Sequence, residues 1–275
     1  MQKRKQRYPQ PISTPEAPSG TGTIKLKHKI QPKNFSQEMY IESLRESSIT
    51  IGEGPAGSGK TYIVVAIALE KLLSNEVDRI IITRPVVEAD EKLGFLPGTL
   101  KEKLDPYLLP LYDAIEDHVG PTMSKRLMES GKIEIAPLAY MRGRTFNNCF
   151  VILDEAQNAT AKQMKMFLTR IGYNSFYCVD GDPTQSDLVP PKGVSYKDWE
   201  NGLQFAVRKL AGKSEYVRLI RFTYKDIVRS PQAQEIVTLL DSPDERREVI
   251  DKENQISPRS FTSVQRFSDT YDYDE

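Results

Sequence analysis

The chain has 275 residues, 39% of them hydrophobic, and its 38 Lys and Arg are balanced by 38 Asp and Glu. A formal net charge of zero removes any global polyelectrolyte signal for nucleic acid. No apolar run reaches about 18 residues and no apolar segment follows the basic N-terminus, which excludes a membrane-spanning helix and a signal peptide and points to the cytoplasm.

Residues 1–23 carry Pro9, Pro11, Pro15, Pro18, Gly20 and Gly22 and are predicted to be a disordered, basic tail. Its lysines and arginines continue through Lys25, Lys27, Lys29 and Lys33, a run that reads as a solvated tail or as a nucleic-acid contact. A helix is expected over 34–45 and a short strand over 48–52. A buried helix then runs to Leu73, and Arg79-Ile80-Ile81-Ile82-Thr83 reads as a strand covered on both faces, as in a parallel sheet. Helical periodicity over 100–117 is interrupted by Pro106 and Pro110, and a short helix follows over 121–130. Strands are expected at 133–137, 150–153, 176–179 and 216–220, with helices at 163–171 and 197–211. Cys149 and Cys178 fall in apolar strand-like runs and read as small buried hydrophobes, while isolated His28 and His118 offer no zinc site. Alternating strands and helices define an α/β doubly wound parallel sheet in one domain, residues 24–245, followed by a polar, acidic tail over 246–275.

Within this frame, Gly54-Pro55-Ala56-Gly57-Ser58-Gly59-Lys60-Thr61 matches every position of G-x-x-x-x-G-K-[ST], between a strand and a helix. Glycines let the backbone curl so that N–H groups and a helix N-terminus face phosphate oxygens. Lys60 is the charge for the β- and γ-phosphates of ATP, and the Thr61 hydroxyl a ligand for Mg²⁺. The apolar run 150–153 ends in Asp154-Glu155. Asp154 is placed to hold Mg²⁺ opposite Thr61, and Glu155 to deprotonate the attacking water. The run 176–179 leads into Asp180-Gly181-Asp182-Pro183-Thr184-Gln185, where Gln185 is the expected sensor of the γ-phosphate or the water. Roughly ninety residues with two further strands separate the P-loop from Asp154, an arrangement that suits motor-type ATPases better than GTPases or simple kinases.

These stretches, with Thr83-Arg84-Pro85-Val86, Leu93-Gly94-Phe95-Leu96-Pro97-Gly98, Tyr140-Met141-Arg142-Gly143-Arg144-Thr145-Phe146 and Asp154-Glu155-Ala156-Gln157-Asn158, resemble the PhoH family over about residues 32–240. PhoH proteins are phosphate-starvation-inducible ATPases related to superfamily 1 helicases. The resemblance implies a RecA-like ATPase, assembly into a homo-oligomeric ring (a hexamer is expected), and action on RNA or other single-stranded nucleic acid. By the same resemblance, Gln37 is the glutamine that reads the adenine edge. No N-terminal PIN-type nuclease is expected, so a ribonuclease activity is not carried over.

Superfamily 1 motors close ATP between two RecA-like domains, and this chain has room for one. A completing arginine is therefore expected from a neighbouring subunit, Arg229 first and Arg221 or Arg218 after it; such an arginine is worth about 10³–10⁵ in rate. Arg84, Arg142 and Arg144 are expected to leave strand ends on the carboxyl side of the sheet as nucleic-acid contacts, with Tyr140 and Phe95 as stacking faces. The alternative functions are a nucleotide switch with little turnover and a P-loop kinase, the latter disfavoured by Glu155 and Gln157.

Overall fold

A computed structural model describes residues 26–86, 100–195 and 198–241. The expected tails 1–23 and 246–275 lie outside the described residues, as does the Gly94–Gly98 stretch with Phe95. Six parallel strands form one sheet in the order β3-β2-β4-β5-β1-β6. They are β1 (Ile49–Glu53), β2 (Arg79–Arg84), β3 (Ile133–Pro137), β4 (Cys149–Leu153), β5 (Phe176–Gly181) and β6 (Val217–Arg221).

The side-chain period of two sorts the apolar runs onto opposite faces of this sheet. Ile80 and Ile82 of β2, Phe150 and Ile152 of β4 and Cys178 of β5 join one core. That core is completed by α1 (Phe35–Glu46), α2 (Lys60–Leu73), α3 (Leu100–Val119) and α4 (Pro121–Glu129). Ile81, Val151, Leu153, Tyr177 and Val179 point the other way, into a core with α5 (Ala161–Leu168) and α6 (Gly202–Leu210). Both faces are covered, which is why β2 and β4 read as unbroken apolar runs. Helix α2 is buried from Ile63 to Leu69 on every side, because it lies between the sheet and its neighbours α1 and α3. No described helix is long and apolar enough to cross a membrane.

Four helices differ from the sequence expectation. Helix α3 runs unbroken through Pro106 and Pro110. Leu108, Leu111 and Ile115 form a buried stripe there, and each such burial contributes about 1.5–3 kcal/mol, enough to offset a missing ladder bond. Capping boxes set the starts of α5 and α6: Thr160 with Gln163 starts α5 two residues before the expected 163, and Asn201 with Gln204 starts α6 five residues after the expected 197, while α5 ends at Leu168 rather than 171. Helix α7 (Pro231–Asp241) was not expected at all; Ser230 caps its first turn and Pro231 sits where a missing N–H costs little. Both cysteines are buried.

Candidate functional site: a P-loop cleft with an arginine-held glutamate

The P-loop leaves the carboxyl end of β1 and closes into the start of α2. Gly59, at φ +86°, makes the turn that a residue with a Cβ resists, and Ser58 Oγ donates to the Pro55 carbonyl at 2.9 Å. Lys60 is buried, and its ammonium donates to the carbonyls of Gly54 (2.7 Å) and Pro55 (2.9 Å) and to Ser58 Oγ (3.2 Å). Burial lowers its pKa, opposed by the charges of Asp180, Asp182, Asp154 and Glu155.

Strand β5 lies between β1 and β4, so the Asp154-Glu155 pair at the end of β4 faces the P-loop across one strand. Thr61 Oγ1 donates to Asp154 Oδ1 at 3.0 Å. Asp154 is buried, and burial followed by the charge of Glu155 raises its pKa, against Arg84, Thr61 and Lys60. A buried carboxylate and a hydroxyl 3.0 Å apart form a hard-oxygen pair, with anionic charge the surroundings leave under-compensated. That donor set fits Mg²⁺, which takes few protein ligands and keeps several waters.

Glu155 adopts a left-handed backbone, φ 51° and ψ 42°, at the turn out of β4. Its Oε1 accepts from Arg84 Nη2 at 2.6 Å and its Oε2 from Gln157 Nε2 at 2.5 Å. Gln157 is buried, and its Oε1 accepts from the Asp182 backbone N–H at 3.1 Å, tying the glutamate to the loop after β5. Gln185 follows in that loop, its N–H bonded to the Asp182 carbonyl. A cleft of about 310 Å³ brings together Lys60, Thr61, Asp154, Glu155, Gln185 and Arg229.

Arg229 lies in this cleft from its own chain. Val228 N–H donates to the Gly57 carbonyl at 2.8 Å, and Arg229 lies so close that a Cβ on Gly57 would sit 2.5 Å from its Nε. Gly57 has φ +83° as well, so a larger residue there would be strained even if the arginine moved aside. Arg229, expected to reach a neighbour's site, is exposed and lies beside its own chain's P-loop, where the stretch before α7 meets Gly57. Arg218 pairs with Glu42 and Glu46, and Arg221 with Glu53.

Gln37 is buried beside the P-loop. Its Nε2 donates to the Ser58 carbonyl at 3.0 Å and its Oε1 accepts from Lys33 N–H at 2.9 Å. It lines a second cavity of about 430 Å³ between residues 28–33, α1 and α2. Gly59 and Tyr62 line both cavities, so the two adjoin. Tyr62 is braced by His118, whose ring lies 4.2 Å from its own and whose Nε2 meets the Tyr62 carbonyl at 3.0 Å. Burial lowers the His118 pKa.

The expected nucleic-acid contacts separate. Tyr140, 53% exposed, and exposed Arg142 lie just past the carboxyl end of β3. Arg84 is also at a carboxyl end, but its guanidinium faces Glu155 and lies 3.7 Å from Asp154. Arg144 is corrected in position: it turns back along β3 into a two-point pair with Glu134 (2.5 and 2.7 Å) and stacks on Phe146. Glu134 is the second residue of β3, so Arg144 is not at the carboxyl edge.

Two site residues were missed. Gln157 was used only within its motif and against the kinase reading, although an amide two residues after the base can bridge it to a neighbouring loop. Asp180 was taken as loop, but β5 continues through Gly181 and buries it. Tyr40 Oη donates to both its oxygens, at 2.5 and 2.7 Å, and Cys178 Sγ lies 3.1 Å from that hydroxyl. Burial pushes Asp180 up to about 7, against the Tyr40 hydrogen bond and the Lys60 charge.

A parallel sheet with the P-loop on β1, the acid pair on β4 and a polar loop on β5 between them defines a RecA-like P-loop NTPase fold. Residues 29–241 match the family described as PhoH-like protein, and the chain belongs to that family. It is 51% identical over 208 residues to the PhoH-like protein of Mycobacterium tuberculosis, covering 76% of this chain and 57% of that one. It is 48% identical over 207 residues to Protein PhoH of Escherichia coli K12, covering 74% and 56%. The chain thus spans little more than half the length of these relatives. Among solved structures it is similar to a large terminase from a thermophilic bacteriophage, with TM-score 0.46 and 11% identity over 76% of this chain and 50% of that one.

Proposed function

We propose that this protein binds ATP with Mg²⁺ and hydrolyses it, and that turnover serves an action on single-stranded nucleic acid, RNA first. The observation that carries the hydrolytic reading is the 3.0 Å contact between Thr61 and Asp154 in a cleft that also holds Lys60 and Glu155. The triphosphate lies along the P-loop N–H groups and the α2 N-terminus, with Lys60 moving from the loop carbonyls to the β- and γ-oxygens. Thr61 and Asp154 would hold Mg²⁺, which neutralises charge on the β- and γ-phosphates. Glu155 takes the proton of the attacking water, and Gln185 orients that water. Arg229 stabilises the γ-phosphate charge in cis. The adjoining cavity, with Gln37 and Tyr62 in its wall, takes the base and sugar.

Support for the nucleic-acid reading is the pairing of exposed Tyr140 with exposed Arg142, a stacking face beside a cation. A homo-oligomeric ring remains part of the proposal through family membership, but with Arg229 already at its own P-loop, a neighbour is not needed to supply it. The second reading, a nucleotide switch with little turnover, is favoured by one observation: both oxygens of Glu155 already accept hydrogen bonds. The deciding experiment is phosphate release from ATP, with and without a single-stranded RNA, on the wild type and Glu155→Gln. Turnover that Glu155→Gln abolishes supports hydrolysis; turnover near zero under all conditions, with ATP bound, leaves the switch.

A further inference from the structure

Arg84 stands at the junction of two regions. It is the last residue of β2, between β4, whose end carries Glu155, and β3. Its Cα partner on β3 is Pro137, the residue that leads into the Leu138–Met141 turn with Tyr140 and on to Arg142. Its guanidinium holds Glu155 at 2.6 Å and lies 3.7 Å from Asp154. It does not line the phosphate cleft, whose wall on that side is Asp154 and Glu155 themselves. A nucleotide in the cleft therefore meets the glutamate, and the strand on the other flank of Arg84 is β3, whose end leads to Tyr140 and Arg142.

A guanidinium presents a fork of planar donors that matches carboxylate and phosphate equally well. An anion arriving beside Tyr140 and Arg142 thus competes with Glu155 for the same donors. We propose that Arg84 is a positioning residue shared between the catalytic glutamate and a backbone phosphate of the single strand, so that strand binding draws the arginine away and frees Glu155 to act as base. The strained left-handed turn at Glu155 and its bond to Gln157 keep the carboxylate beside the cleft while the arginine leaves. Hydrolysis is then slow until a strand is bound, and nucleic acid and ATP are coupled through one side chain rather than through a domain closure.

This inference rests on the ATPase reading, so its test includes a measurement that needs no hydrolysis. Affinity for a fluorescent single-stranded uridine oligonucleotide is measured without nucleotide on the wild type, Glu155→Gln, Arg84→Ala and the double variant. Neutralising Glu155 weakens the hold on Arg84, so Glu155→Gln should bind roughly five- to tenfold more tightly, and the gain should vanish when Arg84→Ala is added. In the second arm, Arg84→Ala should raise the ATPase rate measured without oligonucleotide by roughly 10- to 100-fold and flatten the stimulation by oligonucleotide. Arg84→Lys, which keeps the charge but not the fork, should fall between, and it serves if the alanine variant does not fold. Unchanged affinity in Glu155→Gln, or a slower Arg84→Ala enzyme with its stimulation ratio intact, overturns the sharing and leaves Arg84 as a support for Glu155. No hydrolysis by the wild type with or without oligonucleotide sinks the ATPase reading instead, while the affinity cycle still decides for or against the sharing.

Discussion

The P-loop cleft and the β3–β4 connection hold their charged groups by different means. In and around the cleft, contacts cross strand and loop boundaries: Thr61 to Asp154, Arg84 to Glu155, Gln157 to Asp182 and Arg229 against Gly57. Each group meets a partner far away in sequence, and the burial of Asp154, Gln157 and Asp182 makes the cost of losing theirs high. In the β3–β4 connection, Arg144 is satisfied ten residues back by Glu134, and Arg142 and Tyr140 lie on the surface. The first region is built to hold a small, highly charged ligand in one geometry. The second offers exposed cationic and aromatic surface to a longer, adaptable one.

The comparison breaks most sharply at Glu155. Glu155→Gln should lower the ATPase rate by roughly 10²–10⁴ while ATP affinity is kept; equal loss of binding and turnover would remove the glutamate from the role of base. Arg229→Ala should cost roughly 10²–10³ in rate, as the loss of one preorganised donor does. Mixing Arg229→Ala with Glu155→Gln subunits should restore nothing, because both residues serve the same cleft. Recovered activity in the mixture would place the arginine in a neighbour's site. Lys60→Ala should weaken ATP binding by roughly 10- to 100-fold, read by titration with a fluorescent ATP analogue.

A pH series tests the buried acids beneath the cleft. Asp180, at about 7, and Asp154, also raised, hold their protons more tightly in the folded chain than in the unfolded one. Between about pH 4 and about 7 the folded state therefore binds more protons. Stability from these groups is present at the acid end of that window and is lost as the pH rises through about 7. Thermal unfolding from pH 5 to 8 should show the wild-type Tm falling relative to Asp180→Asn; parallel curves would mean that Asp180 titrates as an ordinary carboxylate. The smallest effects belong to the surface. Arg144→Ala should cost no more than about 1 kcal/mol of stability and leave ATP affinity unchanged, since its ion pair is one-third exposed. Arg142→Ala should weaken single-strand binding and lower the salt slope by roughly 0.7, the value for one phosphate contact. An unchanged slope would move the contact elsewhere.

The same division explains what the sequence made legible. The P-loop and Asp154-Glu155 depend on local spacing and on flanking apolar runs, and the structure brings them together as expected. The family followed from motif segments of the same local kind. The Arg84–Glu155 bond depends on β2 lying beside β4, a strand order that no local pattern encodes. Arg229 was singled out as a residue, but its approach to its own Gly57 is set by how the chain runs after β6, which no local pattern encodes. Asp180 was read as loop because a buried acid inside a strand contradicts the apolar pattern; Tyr40, from a helix 140 residues earlier, is what makes the site tolerable. Helix α7 was missed although Ser230-Pro231 forms a cap and first-turn pair at its start.

The thiol of Cys178, closed in behind the P-loop by Tyr40 and Asp180, gives the protein a built-in clock for its own opening. Burial raises its pKa well above the ordinary value and leaves it no exposed surface, so an alkylating reagent reaches it only when β5 and α1 part. Cys149, on β4 and also buried, offers a second such clock one strand away. Comparing the two labelling rates would reveal whether the sheet loosens as a unit or whether the layer beneath the P-loop opens on its own, residue by residue, without any engineered probe.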